Sequence, residues 1–363
     1  MPETKNKIYG NALNLIPELG AVKLTRLLNY FGDYKTAWEA SAFELNQAQL
    51  DQKTIDAVKS KQPGINPGKA WEDLLIQKIE MVTILESEYP ALLKEITTPP
   101  PLLYVRGDKK VLSKTGIAVV GSRKISQYGR QAIEEIVTAL AQSRLNIISG
   151  LAFGVDAFSL HACLNAGAKP VAILASDLQD NSISPRSNFN LAQEVAEKGC
   201  LVSEYALNSN VQKQNFPIRN RLISGLSIGV LVIEADEESG ALITANYALE
   251  QGREVFAIPG SIFSPTSRGT NKLIKQGAKL VSTAQDIFEE LNLDVQVLTE
   301  TEPLATTDQE SQLLLNLTRE PIHIDDLVKQ VKLPVSEINA TLSLLELKGR
   351  VKNLGGAKYV KIR

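Results

Sequence analysis

Ile117-Ala118-Val119-Val120-Gly121-Ser122-Arg123 is a short apolar run that stops on a glycine and a serine, and residues 130–142 after it recur at helical spacing. A β-rich run that ends in a small-residue turn and opens a helix is half of a strand–helix–strand unit. The order repeats downstream. Further β-rich runs stand at 146–148, 171–174, 201–202, 228–233, 255–258 and 280–281, separated by helical stretches such as 155–166, 241–251 and 284–291. That alternation predicts an α/β fold over 111–292, a doubly wound, extended Rossmann-like and mostly parallel sheet. Ligands of such sheets bind outside the carboxyl ends of the strands, so the loops should carry the function.

Three of those loops are built to approach an anion. Val120-Gly121-Ser122-Arg123 ends one strand, with Ser126 placed to cap the next helix. Its small turn offers backbone amides, and Arg123 can close over what they bind. Ser149-Gly150-Leu151-Ala152-Phe153-Gly154-Val155-Asp156 repeats the design, although Asp156 also suits a plain role at a helix N-terminus. Glu238-Ser239-Gly240-Ala241 follows the strand that ends near Ile233-Glu234. A fourth segment, Phe216-Pro217-Ile218-Arg219-Asn220-Arg221, sets two arginines around Asn220 at a helix start. Guanidiniums there can grip phosphate bidentately, or they can pair with carboxylates in the core; the residues alone leave both open. Neither G-x-G-x-x-G after the first strand nor the P-loop ending Gly-Lys-Ser/Thr is present, which speaks against NAD and ATP as cofactors.

Composition narrows the classes. The chain has 363 residues, 44% hydrophobic and 22% charged, as in globular proteins of two or three domains. Its net charge is −2, so any nucleic-acid site must be a local basic patch. Cys163 and Cys200 are the only cysteines, too few for a disulfide framework or a thiolate zinc site, which predicts a cytoplasmic protein without metal or membrane span. His161, on the predicted helix 155–166 beside Ala157, Leu160 and Leu164, reads as a buried, hydrogen-bonded histidine rather than a general base.

The flanks differ from the centre. Residues 1–62 carry Leu13, Ile16, Leu19, Leu24, Leu27, Leu28 and Phe31 at helical spacing, which predicts a small helical domain with a helix-hairpin-helix-like turn at 16–23. A lead-in segment, 63–110, holds a Pro-rich strap at 97–101 and a short strand after it. An acidic linker is predicted over 293–308, and 309–363 has winged-helix order: three helices, then a hairpin turning at Gly355-Gly356. The third helix offers Ser336, Glu337, Asn339 and Ser343 to a partner, a poor set for reading duplex sequence.

Six motifs in order now make a resemblance: Val-Gly-Ser-Arg at 120–123, Ser-Gly-Leu-Ala-x-Gly-Val-Asp at 149–156, Phe-Pro-x-Arg-Asn-Arg-Leu-Ile-x-Gly at 216–225, Ser-Gly-Ala-Leu-Ile-Thr-Ala at 239–245, Gly-Arg-Glu-Val-Phe-Ala-Ile-Pro-Gly at 252–260 and Gly-Thr-Asn-Lys-Leu-Ile at 269–274. Over about 85–290 the chain resembles the DNA-processing protein A family (DprA/Smf). The resemblance implies a non-enzymatic protein that binds single-stranded DNA, protects it during uptake or transformation, and loads the RecA recombinase onto it as a homodimer. Carried over residue by residue, it implies phosphate contacts at Arg123, Lys213, Arg219 and Arg221, with Asn220 between the arginines. Phe216 would stack a base, and Gly121, Ser122, Gly150, Ser239 and Gly240 would line the backbone track. The helix around 271–276 is the expected dimer contact, through Leu273 and Ile274.

One loop departs from the family. Where the family carries Gly-Cys-Gly-Leu-Asp and then Tyr-Pro, this chain has Ala175-Ser176-Asp177-Leu178-Gln179 and later Ser184-Pro185-Arg186, which puts close backbone approach there in doubt and leaves Arg186 as an electrostatic substitute. Two rival readings are a phosphoribohydrolase-like nucleotide enzyme, whose Pro-Gly-Gly-x-Gly-Thr-x-x-Glu motif is missing, and a winged-helix transcription regulator, which leaves the core loops unexplained.

Overall fold

The computed structural model describes residues 2–209, 212–293 and 307–361, apart from 319, 332 and 349. It forms two compact units, Met1–Leu298 and Thr299–Arg363.

The first unit is organised on a sheet that has nine strands among the described residues: β1 Ile79–Thr83, β2 Leu102–Gly107, β3 Gly116–Val120, β4 Asn146–Ser149, β5 Val171–Ile173, β6 Cys200–Ser203, β7 Gly229–Val232, β8 Glu254–Ala257 and β9 Lys279–Leu280. Their spatial order is β1-β2-β6-β5-β4-β3-β7-β8-β9. Pairing is parallel from β6 across to β9, and antiparallel only at β1–β2 and β2–β6. The chain winds outward from β3 through β4, β5 and β6, then returns to the other side of β3 with β7. The sheet is therefore doubly wound, and its order reverses at β3 and β7.

Alternation along the central strands sorts side chains between two faces. Ile117 and Val119 of β3 join a core with Leu231 of β7, Ile133, Ile136 and Val155, under the helices on one face. Ala118 and Val120 join Val230, Val232, Leu222, Ala245 and Leu273 on the other. Burial on both faces explains why these strands read as unbroken apolar runs in the sequence.

The N-terminal helices form as the leucine spacing predicts. Leu24, Leu27 and Leu28 bury one side of Gly20–Phe31, and Asp33, Ser41 and Asp51 cap the next helices through their side chains. These helices share an apolar core with Leu102 and Tyr104 of β2 and with Leu160, Leu174 and Leu201. Asn14 ties the first helix to the sheet, donating to the Glu204 carbonyl at 3.0 Å and to the Tyr104 hydroxyl at 3.1 Å. The strand β1 and the antiparallel turn at β2 were not legible from periodicity.

In the second unit, helices Asp308–Asn316, Ile324–Val331 and Val335–Leu347 pack on Leu313, Leu327, Ile338, Leu342 and Leu345. Strands β10 Ile322–His323, β11 Val351–Asn353 and β12 Lys358–Lys361 close a three-stranded wing in the order β10-β12-β11. Gly355 and Gly356 make the predicted hairpin turn with φ of +86° and +60°. Most of the acidic segment predicted as a linker lies outside the described residues.

Candidate nucleic-acid interface

The loops after β3, β4, β5, β7 and β8 gather along one edge of the sheet, and a buried carboxylate knots three of them together. Glu234, just past β7, is almost fully buried. Its side chain accepts hydrogen bonds from the Ser126 amide (2.8 Å), the Ser126 hydroxyl (2.6 Å) and the Thr266 hydroxyl (2.9 Å). Its carbonyl accepts from the Ser122 amide at 2.7 Å. Buried charge needs such satisfaction to be tolerated. Sequence reasoning placed Glu234 only at a strand end; a carboxylate directly after a buried parallel strand was the available signal.

The Gly121-Ser122-Arg123 turn is held from the other side as well. The Val155 amide donates to the Ser122 carbonyl at 3.1 Å. Gly154 reaches that position with φ +70°, and a Cβ there would lie 2.3 Å from the Ser122 carbonyl oxygen. Clamped in this way, the turn holds Arg123 and Lys124 outward. Both are exposed; the Arg123 charge acts on buried Asp156 from nearby.

The β4 loop folds inward instead. Asp156, at the start of helix Val155–Asn165, accepts from the Gly150 amide (3.1 Å) and the Ala152 amide (3.2 Å). Burial pushes its pKa up, against the pull of the Arg219 charge and those two amides. The expectation that Gly150 offers its amide to an anion is corrected here: that N–H is already given to Asp156. What glycine supplies is room, since a Cβ at 150 would sit 2.7 Å from Asp156 Oδ2 and 2.8 Å from Arg219 Nη2.

Both arginines of the 216–221 segment lie on helix Asn215–Gly225, and both are buried. Arg219 donates from Nη1 to the Gly150 carbonyl at 2.8 Å and to the Ile173 carbonyl, bracing the ends of β4 and β5. Burial lowers its pKa to about 10, so it is still charged at neutral pH. Arg221 points away from the edge to Glu204, at 2.5 Å, with both side chains only 9% exposed. Burial also raises the Glu204 pKa, opposed by that arginine. The expected phosphate contact at Arg221 is thus corrected to the pairing with a core carboxylate, because a helix turns about 100° per residue and cannot aim both guanidiniums at one groove.

The start of that helix does reach the edge. Asn215 is buried and donates to the Ala175 carbonyl at 3.3 Å, anchoring the helix N-terminus over the β5 loop. Lys213 is exposed, and Phe216 is half-buried and outside the hydrophobic cores. Asn220 donates to the Gly240 carbonyl at 3.3 Å, and Ser239 caps helix Gly240–Glu250 through its hydroxyl. Gly121, Ser122, Arg123, Lys213, Phe216 and Asn220 are thus brought to one edge, with Arg219 as a brace beneath.

Position bears on four other expectations. His161 is exposed on the outer side of its helix, because Leu160 and Leu164 take the buried positions around it. Leu273 packs mostly against the sheet while lining a surface pocket with Leu242, Lys272 and Gln276, and Ile274 reaches the surface in part. Arg186 is spent locally, donating to the Asp180 carbonyl at 2.5 Å and lying over the Phe189 ring at 4.2 Å. Asp177, in the altered loop, is fully buried, with Oδ1 accepting from the Gln179 amide at 3.0 Å and Oδ2 without a partner among the described residues.

Chemically, this edge offers cations, small-residue turns and aromatic faces. Three of its buried carboxylates are engaged: Asp156 by amides, Glu234 by hydroxyls and an amide, Glu204 through one oxygen by Arg221, while Asp177 keeps Oδ2 without a partner among the described residues. Among the described residues no group of His, Cys, Asp or Glu is arranged to hold a metal ion, and no helix is long and apolar enough to cross a membrane.

A Rossmann-like sheet with an exposed cationic turn at its switch point defines a protein of the doubly wound α/β class. The particular family is clear from comparison. The pattern of DNA recombination-mediator protein A matches residues 80–292 and that of the DprA winged helix domain matches 298–357, and the chain belongs to the DNA recombination-mediator protein A (DprA/Smf) family. It is 45% identical to DNA processing protein DprA of Bacillus subtilis over 216 residues, covering 59% of this chain and 72% of that one. It is 30% identical to protein Smf of a Synechocystis species over 97% of this chain and 98% of the relative. Among solved structures, DprA from Streptococcus pneumoniae superposes with a TM-score of 0.69 at 32% identity, covering 78% of this chain and 97% of that one. A DprA structure from Helicobacter pylori, described by its single-stranded DNA binding mode, gives a TM-score of 0.54 at 28% identity, over 60% of this chain and 97% of that one.

Proposed function

We propose that this protein binds single-stranded DNA along the carboxyl edge of its sheet, protects it, and passes it to the RecA recombinase during DNA uptake, acting as a homodimer in the cytoplasm without cofactor or catalysis. The observation that carries the reading is exposed Arg123 on a rigid turn, on the sheet edge where Asn215 anchors the helix start that carries exposed Lys213 and half-buried Phe216. Gly121, Ser122 and Gly150 shape the track where it crosses β3 and β4, Ser239 and Gly240 flank it on the side of helix Gly240–Glu250, and Arg219 stiffens it from below. The single-stranded DNA binding of the Helicobacter relative supports the same ligand here. The missing Pro-Gly-Gly-x-Gly-Thr-x-x-Glu motif, with its glutamate, weighs against the nucleotide-enzyme alternative.

The test is a titration of a fluorescent single-stranded oligonucleotide at several salt concentrations with wild type and Arg123→Ala/Lys213→Ala. Log affinity should fall with log salt by about 0.7 per phosphate neutralised, and the variant should lose roughly 1.4 from that slope. Equal slopes would move the DNA site elsewhere.

A further inference from the structure

Two aromatic side chains stand out of the same edge, one on each side of Arg123, and the fold has no use for them. Phe153 follows β4 and is 49% exposed; Phe263 follows β8 and is 87% exposed, beside Ile262 at 75%. A large apolar side chain so exposed loses the benefit of burial, and two flanking a bare cation form a pattern.

Their positions are fixed. Phe153 precedes Gly154, which packs tightly on the Ser122 and Arg123 backbone, so the chain at Phe153 runs next to that turn. The Phe263 loop is tied to the same turn twice. Tyr128, on the helix after Arg123, donates its hydroxyl to the Pro259 carbonyl at 2.6 Å, and Thr266 shares the Glu234 carboxylate with Ser126. Asn271 closes the loop base through the Gly260 carbonyl at 3.0 Å. The loop is therefore a braced platform rather than a loose tip.

We infer that Phe153 and Phe263 are base-stacking platforms that extend the single-stranded DNA track across the switch point from β4 to β8; this rests on the function proposed above. Every base presents a flat apolar face, so exposed rings beside phosphate-binding cations suit a strand whose bases are unpaired. Arg123 and Lys124 supply the phosphate contact between the rings. The acidic run Asp236-Glu237-Glu238 does not obstruct this course, because it leaves β7 toward helix Gly240–Glu250, whose alanines pack on the opposite face from the helix after Arg123. A strand that continues from Lys213 past Arg123 on the Tyr128 side meets both rings and avoids those carboxylates.

Stacking and charge separate by salt. The full-length protein carrying Phe153→Ala, Phe263→Ala or both is titrated with fluorescent oligo(dT) over a salt series, beside Arg123→Ala/Lys213→Ala. Each ring removed should weaken binding about tenfold at every salt concentration while the slope is unchanged. As a direct probe, Phe263→Trp should lose emission on adding oligo(dT), against the background of Trp38 and Trp71 in the N-terminal region. Wild-type affinity in the Phe variants together with an unquenched Phe263→Trp overturns the inference; if the cation variant still loses slope, the proposed function stands without it. If the cation variant also binds as wild type, the proposed function falls first. Unchanged DNA affinity with an altered sedimentation coefficient in Phe263→Ala assigns the platform to a protein contact and likewise overturns the inference.

Discussion

Arg219 and Arg221 differ by two positions in sequence and by their whole environment in the structure. Arg219 braces the carbonyls that end β4 and β5, and Arg221 answers Glu204. Truncating one member of a buried pair strands the other charge, so Glu204→Ala should destabilise the protein by about 3–5 kcal/mol in urea unfolding. The double variant Glu204→Leu/Arg221→Met should recover most of that loss, since apolar replacement of a whole buried pair is often neutral. Its salt slope for single-stranded DNA should equal that of wild type; a shallower slope would show that Arg221 meets phosphate after all. The exposure of Arg123 was legible because a cation after a small-residue turn has no structural duty there. The split between the two arginines was not, because it depends on where Glu204 and Gly150 lie in space.

At the scale of elements, the strand–turn–helix units depend on glycine at a few points of contact. Gly154 has φ +70° and ψ −124°, a region that other residues enter only at about 1–3 kcal/mol, and an added Cβ would press on the Ser122 carbonyl. Gly154→Ala should therefore lower stability by about 2 kcal/mol or more, seen as a lower urea midpoint. It should also weaken DNA binding, because the Arg123 turn must shift to make room. Every strand of the parallel core was readable from its apolar run, as were the helices over 130–142, 155–166, 241–251 and 284–291, whereas helices Pro67–Ile76 and Phe189–Lys198 were not read. The short strand β1 and the antiparallel pairing of β2 were not, because five residues beside a Pro-rich strap carry too little periodicity to be told from a loop.

For the molecule as a whole, the two units have separate cores and should respond separately to acid. In the winged-helix unit, the Lys348 ammonium bonded to Glu310 at 2.7 Å holds that carboxyl below its ordinary value. A depressed pKa adds stability above the unfolded value of about 4.3 and loses it as pH falls through the folded one. Amide protection of residues 308–316 in the full-length protein, corrected for intrinsic exchange rate, should thus decline below about pH 4, and Glu310→Gln should flatten that decline. Protection that is equally acid-sensitive in the variant would locate the effect elsewhere.

The sequence by itself determined the doubly wound sheet, the order of its motifs, the winged-helix end and the cationic turn at Arg123. Those features rest on local periodicity and turn chemistry, which neighbouring residues are enough to express. Only the tertiary structure decided which polar groups remain free. It turned Arg221 inward, gave the Gly150 amide to Asp156, exposed His161, buried Leu273, and set Phe153 and Phe263 on either side of Arg123. Availability is a matter of what else occupies the same space, and residues far apart in the chain settle it.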